Sequence, residues 1–133
     1  MAVFSTGERV FEVHRGAVTK ALYTAFLERL DADPVNAIVV MDNASIHKRM
    51  SLAKDLDIVY TPPYSPEFNA IELCFAKVKG AYRSRHDVDD DDVPGRIQES
   101  IASLTSTDIK QCFGHVQTLV SALHVHKDSH TDT

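Results

Sequence analysis

The stretch "NAIVVMDN", residues 36–43, does most to determine the predicted fold of this chain. Its apolar residues are largely of the β-branched kind that favours strands, and the run ends abruptly at Asp42. A continuous apolar run of this length suits a strand that is covered on both faces of a sheet. The sequence therefore predicts a buried strand with a carboxylate at its carboxyl end.

Strands and helices alternate on both sides of this strand. Period-two alternation predicts a hairpin over the first fifteen residues, and apolar residues at four-residue intervals predict amphipathic helices. The further predicted elements are helices over 18–30, 46–54, 69–85, 97–104 and 109–123 and a second buried strand over 58–60. Ser106 or Thr107 is the predicted N-cap of the last helix. Because a helix follows each buried strand, the predicted fold is α/β.

Length and composition set outer limits on function. The 133 residues suit one domain, over residues 1–125, followed by a disordered tail over 126–133. The two cysteines do not make a disulfide framework, which indicates a reducing, intracellular environment. No apolar run has the length of a signal sequence or a membrane span, which agrees with that prediction. The net charge of −5 argues against a free-standing DNA-binding module that relies on overall positive charge.

A proline-rich loop follows the second predicted strand. The segment "TPPYSPEFN", residues 61–69, has three prolines within five positions, which predicts a stiff and extended connection. It leads to a helix that carries Glu72 in its first turn. Sites in open α/β sheets lie beyond the carboxyl ends of the strands, so Asp42 and Glu72 are predicted to meet there and to bind Mg²⁺ through carboxylate oxygens.

Each of these two carboxylates has an ordinary structural alternative. Asp42 can simply end a strand and turn the chain, because Asp-Asn pairs favour turns. Glu72 lies three positions after Asn69, and this spacing is that of a capping box, an arrangement that stabilises a helix by about 1 kcal/mol. The composition of the chain does not decide between the structural and the metal-binding roles.

Two longer blocks carry a resemblance to a known family. "MDNASIHK" (41–48) and "TPPYSPEFNAIELCFAKVK" (61–79) together resemble the paired blocks of the mariner-like branch of DDE transposases, shared with bacterial insertion-sequence enzymes. "VTKALYTAFLERL" (18–30) and "CFGH" (112–115) also resemble family sequence, so the resemblance covers most of the chain. Two small departures are Ala70, where the family often has proline, and Phe75, where tryptophan is common.

The resemblance implies an RNase H-like mixed sheet with flanking helices. It implies that Asp42 is the second catalytic carboxylate, that Glu72 is the third, and that both bind Mg²⁺ or Mn²⁺. The implied activity is metal-dependent DNA strand cleavage and transfer. The implied partner is DNA, both as transposon ends and as target, and a homodimer is one possible assembly. The resemblance implies no membrane association and a location with DNA in a nucleus or nucleoid.

The resemblance also implies a truncated site. The family's first catalytic aspartate lies on a strand before the hairpin, and this chain starts at or just inside the hairpin. We therefore expect residues 1–125 to be a partial DDE transposase catalytic domain whose first strand is missing, with little or no nuclease activity alone. Whether the chain is an enzyme is left open. The alternatives are a repurposed, non-catalytic module that binds nucleic acid or protein, and a relic open reading frame.

Two polar residues after Asp42 are secondary candidates. His47 is predicted to orient a carboxylate or to contact substrate, and Asn43 to support the metal ligands through a hydrogen bond. The alternatives are a surface histidine in a first helical turn and an asparagine that supports the turn.

Basic residues on the Glu72 helix form a further candidate site. Lys79 and Arg83 lie on the same helical stripe as Glu72, and Lys77 and Arg85 add charge nearby. This basic ridge predicts contacts with a DNA backbone. The alternative is a solvated helix face.

Overall fold

The structure, a computed structural model, describes residues 1–30, 38–42, 57–85 and 92–130, with side chains described as far as Leu123 in the last range. The predicted helix over 46–54 lies outside the described residues. The elements in chain order are β1 (Ala2–Val3), β2 (Arg9–Val10), α1 (Lys20–Leu30), β3 (Ile38–Met41), β4 (Asp57–Tyr60), a 3₁₀ turn (Pro66–Phe68), α2 (Ala70–Ser84), α3 (Val93–Ala102) and α4 (Ser106–His130). The predicted α/β class is confirmed.

The strands form two separate pairs in the described part of the chain. β1 and β2 form the predicted antiparallel hairpin, and β3 pairs with β4 in parallel, with Val40 opposite Val59. The parallel pairing brings the carboxyl ends of β3 and β4 to one edge. There the backbone N–H of Thr61 donates a hydrogen bond of 2.9 Å to the carbonyl of Met41. One continuous mixed sheet, as an RNase H-like fold would have, is not formed by the described residues.

The predictions that β3 is buried on both faces and that β4 is a buried strand are wrong. Ile38, Val40 and Val59 lie on one face of the pair and are 63%, 47% and 49% exposed. Met41, on the other face, is only 5% exposed. A continuous apolar run gives burial on both sides only where other elements cover both sides, and the described elements leave one face of this two-stranded pair open.

The hydrophobic core lies between α2 and α4. Its buried members are Ala70, Cys74, Leu104, Ile109 and Cys112, with Cys74 and Ile109 completely shielded from solvent. Burial, together with the neighbouring Cys112 thiol, raises the pKa of the Cys74 thiol to about 12. Both cysteines are free and behave as small core residues.

Polar contacts join α3 to the end of α2. The Arg96 guanidinium lies 4.2 Å from the centroid of the Tyr82 ring, and its Nη2 donates a hydrogen bond of 2.8 Å to the Tyr82 carbonyl. Arg85 donates to Glu99 at 2.7 Å. These contacts fix the carboxyl-terminal end of α2 against α3.

The last helix begins at a capping box. Thr105 is the N-cap, not Ser106 or Thr107 as predicted: its hydroxyl accepts from the N–H of Asp108 at 3.0 Å, and the Asp108 carboxylate accepts from the N–H of Thr105 at 2.9 Å. The hydrogen bonds from Thr105 and from Lys77 lower the pKa of Asp108. The helix continues to His130, so residues 126–130, predicted to be disordered, are helical; residues 131–133 lie outside the described residues.

The hairpin is attached to the junction of α3 and α4. Arg9 donates hydrogen bonds to the carbonyls of Leu104 and Ala102, the latter at 3.1 Å. Gly7 has φ +96° in the hairpin turn, and a Cβ at this position would overlap the Ser106 side chain. Glycine is therefore required here both for its backbone conformation and for its small size.

Candidate metal centre

A cavity lies at the edge where β3 and β4 end. Its volume is about 340 Å³, and it is lined by Asp42, Asn69, Glu72 and the loop residues 61–66. The two carboxylates that the sequence analysis singled out therefore face one cavity, although thirty positions separate them along the chain. Parallel pairing of the strands and the short path of the loop explain this placement.

The Glu72 carboxylate takes no part in capping its helix. The N-cap is Asn69, whose side-chain oxygen accepts from the N–H of Ile71 at 3.3 Å. A capping-box glutamate would accept from the N–H of Asn69, but this N–H donates to the Pro66 carbonyl at 3.0 Å. Within the described residues the Glu72 side chain makes no hydrogen bond or ion pair. The capping-box alternative therefore does not account for Glu72.

The connecting loop is held by backbone hydrogen bonds at both ends. It starts at the Thr61–Met41 bond and ends in the 3₁₀ turn, where the N–H of Phe68 donates to the Ser65 carbonyl at 3.2 Å. The N–H of Glu72 then donates to the Asn69 carbonyl at 3.0 Å. These bonds restrain the start of the loop against the end of β3 and the end of the loop against the first turn of α2.

A tyrosine that the sequence analysis did not select lies near Asp42. Burial raises the pKa of Tyr23 on α1, and the charges of Asp42 and Tyr60 raise it further. The Tyr23 phenol is therefore held neutral close to the exposed Asp42 carboxylate. No local signal points to it, because in the sequence Tyr23 is one residue of an amphipathic helix and its proximity to Asp42 depends on tertiary packing.

The four basic residues of the predicted ridge divide into two pairs. Lys77 is paired with Asp108 at 3.2 Å and Arg85 with Glu99 at 2.7 Å, so both are directed towards the neighbouring helices. Lys79 and Arg83 are exposed and have no ion pair with any residue that the structure describes. A role for the four in DNA binding stays a prediction, and these contacts favour Lys79 and Arg83.

The donor set of the cavity suits a hard divalent cation. Mg²⁺ prefers oxygen ligands and is often held by one or two carboxylates together with substrate phosphates. Asp42 and Glu72 fit that requirement. No group of three or more His, Cys, Asp or Glu residues that could hold a metal occurs within ranges 1–30, 38–42, 57–85 and 92–130. Asn43 and His47 lie outside these ranges.

These features describe an α/β protein in which two acidic residues, Asp42 and Glu72, line one cavity beside the carboxyl ends of parallel strands. A family model for the DDE superfamily endonucleases matches residues 1–93, a range that includes both Asp42 and Glu72. The chain therefore belongs to the DDE superfamily of endonucleases, whose members act on DNA and generally depend on a divalent metal.

The other comparisons add no further relative. No curated protein and no solved structure matches the chain. None of the described helices is long and apolar enough to cross a membrane.

Proposed function

We propose that this chain is part of a DDE-type transposase catalytic domain and supplies two of its metal-binding carboxylates, Asp42 and Glu72. The observation that carries the proposal is that both residues line one cavity and that Glu72 has no structural partner among the described residues. A negative charge in the first turn of a helix interacts favourably with the helix dipole, but that interaction does not require Glu72 to line a cavity with Asp42. A ligand role explains both its placement and its lack of partners.

The proposed reaction is cleavage of a DNA strand by water, followed by attack of a DNA 3′-hydroxyl on a target phosphodiester. Bound Mg²⁺ or Mn²⁺ would supply charge neutralisation at the attacking and leaving oxygens. Asp42 and Glu72 would supply ligand oxygens, and the backbone hydrogen bonds at both ends of the loop would limit changes in their separation. A fixed separation matters because Mg²⁺ requires nearly ideal octahedral geometry. No covalent bond between protein and DNA is needed.

The proposed DNA contacts continue from the cavity along α2. Lys79 and Arg83 lie seven and eleven positions after Glu72, on the same side of the helix. Their exposed charges would contact phosphates next to the one held at the carboxylates. These two residues would give DNA phosphates a local positive surface although the chain as a whole has a net charge of −5. Homodimer formation and a location in a nucleus or nucleoid stay predictions.

We further propose that the isolated 133-residue chain nicks DNA very slowly, because two carboxylates bind divalent ions more weakly than three. The measurement is conversion of supercoiled plasmid to nicked circles in Mg²⁺ or Mn²⁺. Nicking that is fast in the wild-type chain and absent in Asp42→Asn would contradict this slow rate while supporting the metal site.

Metal-dependent DNA binding tests the proposed function itself. Fluorescence anisotropy of a labelled duplex is measured with the full chain in Mg²⁺ and in EDTA. We expect Mg²⁺ to increase affinity for the wild-type chain but not for Asp42→Asn or Glu72→Gln. The matched control is Glu67→Gln, which removes the same charge from an exposed residue of the same loop that does not line the cavity. An equal response to Mg²⁺ in all four proteins would overturn the proposal.

A second candidate function is a non-catalytic nucleic-acid-binding module. The exposed Lys79 and Arg83 favour it, because neither is used in an ion pair between the described helices. This candidate would be supported if duplex binding in EDTA is unchanged in the double variant Asp42→Asn, Glu72→Gln. The same binding should be lost in the double variant Lys79→Glu, Arg83→Glu. Binding in EDTA that survives the charge reversal would contradict it.

A further inference from the structure

Tyr64 occupies an unusual position at the rim of the cavity. Its side chain is fully exposed, with a relative accessibility of 102%, although the residue lines the same cavity as Asp42 and Glu72. Its φ is 57°, in the left-handed region, and it is the one residue other than glycine with positive φ in the described part of the chain. For a bulky side chain this conformation is a genuine outlier.

The exposure of Tyr64 does not result from a loosely held loop. Pro62 and Pro63 restrict the backbone before it, and the Ser65 hydroxyl after it donates a hydrogen bond of 3.2 Å to the Pro63 carbonyl. The following 3₁₀ turn continues the restraint. These restraints therefore hold the backbone of Tyr64 at the rim of the cavity, with its ring exposed to solvent.

Folding gains nothing from this arrangement. A ring that is surrounded by water contributes no burial energy, and a left-handed conformation at a residue other than glycine is unfavourable. Strained residues of this kind cluster at ligand sites, where the surrounding structure holds them in position. The observations therefore point to a ligand for the ring rather than to a structural role.

We propose that Tyr64 is a stacking platform for an unpaired nucleobase next to the phosphodiester at Asp42 and Glu72. This inference rests on the proposed function, because it takes DNA to be the ligand of the cavity. A flat, exposed aromatic ring can stack on the π-face of any base. A divalent ion held by Asp42 and Glu72 would bind the neighbouring phosphate. The contact holds the strand in place without selecting its sequence, so Tyr64 is a positioning residue.

A single tryptophan reports directly on this contact. The chain contains no tryptophan, so Tyr64→Trp creates a unique fluorophore. The control is Leu123→Trp, at a position on α4 that is 49% exposed and does not line the cavity. The probes are a single-stranded oligothymidylate and an abasic strand of equal length, in Mg²⁺. We expect the thymidylate to quench the fluorescence of the Tyr64→Trp chain, and the abasic strand to leave it unchanged. Neither strand should affect the control.

Affinity measured on the same strands separates stacking from charge. By anisotropy, Tyr64→Ala should weaken thymidylate binding about tenfold and leave abasic binding unchanged, while Tyr64→Phe should bind like the wild-type chain. Thymidylate binding without quenching, or equal quenching by both strands, would overturn the inference and leave the metal site intact. Absence of binding to either strand by every variant would overturn the inference, whereas the proposed function fails only if the Mg²⁺-dependent binding of the duplex is also absent.

Discussion

Asp42 and Glu72 belong to two regions of the molecule that are packed very differently. α2, α3 and α4, with the attached hairpin, enclose Cys74 and Ile109 completely, whereas β3 and β4 leave one apolar face open to solvent. Glu72 is carried by the tightly packed region and Asp42 by the open one. Their relative placement therefore depends on the loop 61–69, and especially on the Thr61–Met41 hydrogen bond at its start.

Because of this difference in burial, we expect the two regions to contribute unequally to the stability of the fold. Changes in the helical core should lower the free energy of unfolding strongly, and equivalent changes on the open face of β3 and β4 should lower it little.

Ile109→Ala should have the largest effect. Ile109 is completely buried between α2 and α4, so the substitution leaves a cavity and should cost about 2–5 kcal/mol. Urea unfolding followed by circular dichroism measures the loss. Val120→Ala on the same helix, at a position that is 39% exposed, is the control and should cost far less. Equal losses in the two variants would show that the packed core is not where we place it.

Gly7→Ala should have the next largest effect. The new methyl group would overlap the Ser106 side chain, and the φ of +96° is strained for alanine. We expect a loss of at least about 1 kcal/mol in the free energy of unfolding. Gly16→Ala is a matched control, because its φ is +80° but no atom lies near its Cβ position. A loss for Gly7→Ala no larger than for Gly16→Ala would contradict the attachment of the hairpin to the start of α4.

Thr105→Ala removes the N-cap of α4 and should cost about 1 kcal/mol. Chemical denaturation gives the value. Ser106→Ala is the control, because Ser106, although predicted as a cap, makes no capping hydrogen bond in the described residues. A larger loss in the control would restore the cap position predicted from the sequence.

Acid sensitivity should follow from Asp108 at the same cap. Hydrogen bonds from Thr105 and Lys77 hold the pKa of Asp108 below its usual value near 3.8. When the pKa of a carboxyl group is lower in the folded than in the unfolded protein, the ionised group stabilises the fold at pH values above the unfolded-state pKa. This stabilisation is lost as the pH falls through the lower, folded-state pKa. Asp108→Asn should therefore lose less stability than wild type on acidification below about pH 4. An unchanged acid dependence of the unfolding midpoint would contradict this role.

Val40→Thr should have the smallest effect. Val40 is 47% exposed on the open face of β3, and threonine keeps the branched shape that favours strands. We expect a change within about 0.5 kcal/mol in thermal or urea unfolding. A loss comparable with that of Ile109→Ala would mean that the open face is covered in solution.

Local patterns predicted much of the fold. The hairpin, the helix ending at Leu30, the two parallel strands and the helix after Asn69 follow from periodicity, proline positions and capping residues. Burial of β3 on both faces was predicted wrongly. An apolar run indicates that a segment favours a strand with buried faces, but it does not show whether other elements of the fold cover those faces. The helical state of 126–130 was missed because polar residues at a helix end give no periodic signal.

The candidate site was predicted in part. The residues Asp42 and Glu72 were found because two separate blocks carried them, and the structure adds that they line one cavity. The sequence could not distinguish a ligand from a capping residue at Glu72, since both need glutamate at the third helical position. The Asn69 N–H, which donates to Pro66, excludes the capping box, and the ligand role stays a proposal. Tyr23 and the left-handed Tyr64 depend on tertiary placement and backbone conformation, which the residue types do not encode locally.

Binding of Mn²⁺ to the full chain, followed by electron paramagnetic resonance, tests the shared site most directly. We predict that Asp42→Asn and Glu72→Gln each weaken binding at least about tenfold, and that the double variant is little weaker than either single variant. Glu67→Gln should bind like the wild-type chain. Unchanged Mn²⁺ affinity in either single variant, or losses that add independently in the double variant, would contradict a single metal centre formed by Asp42 and Glu72.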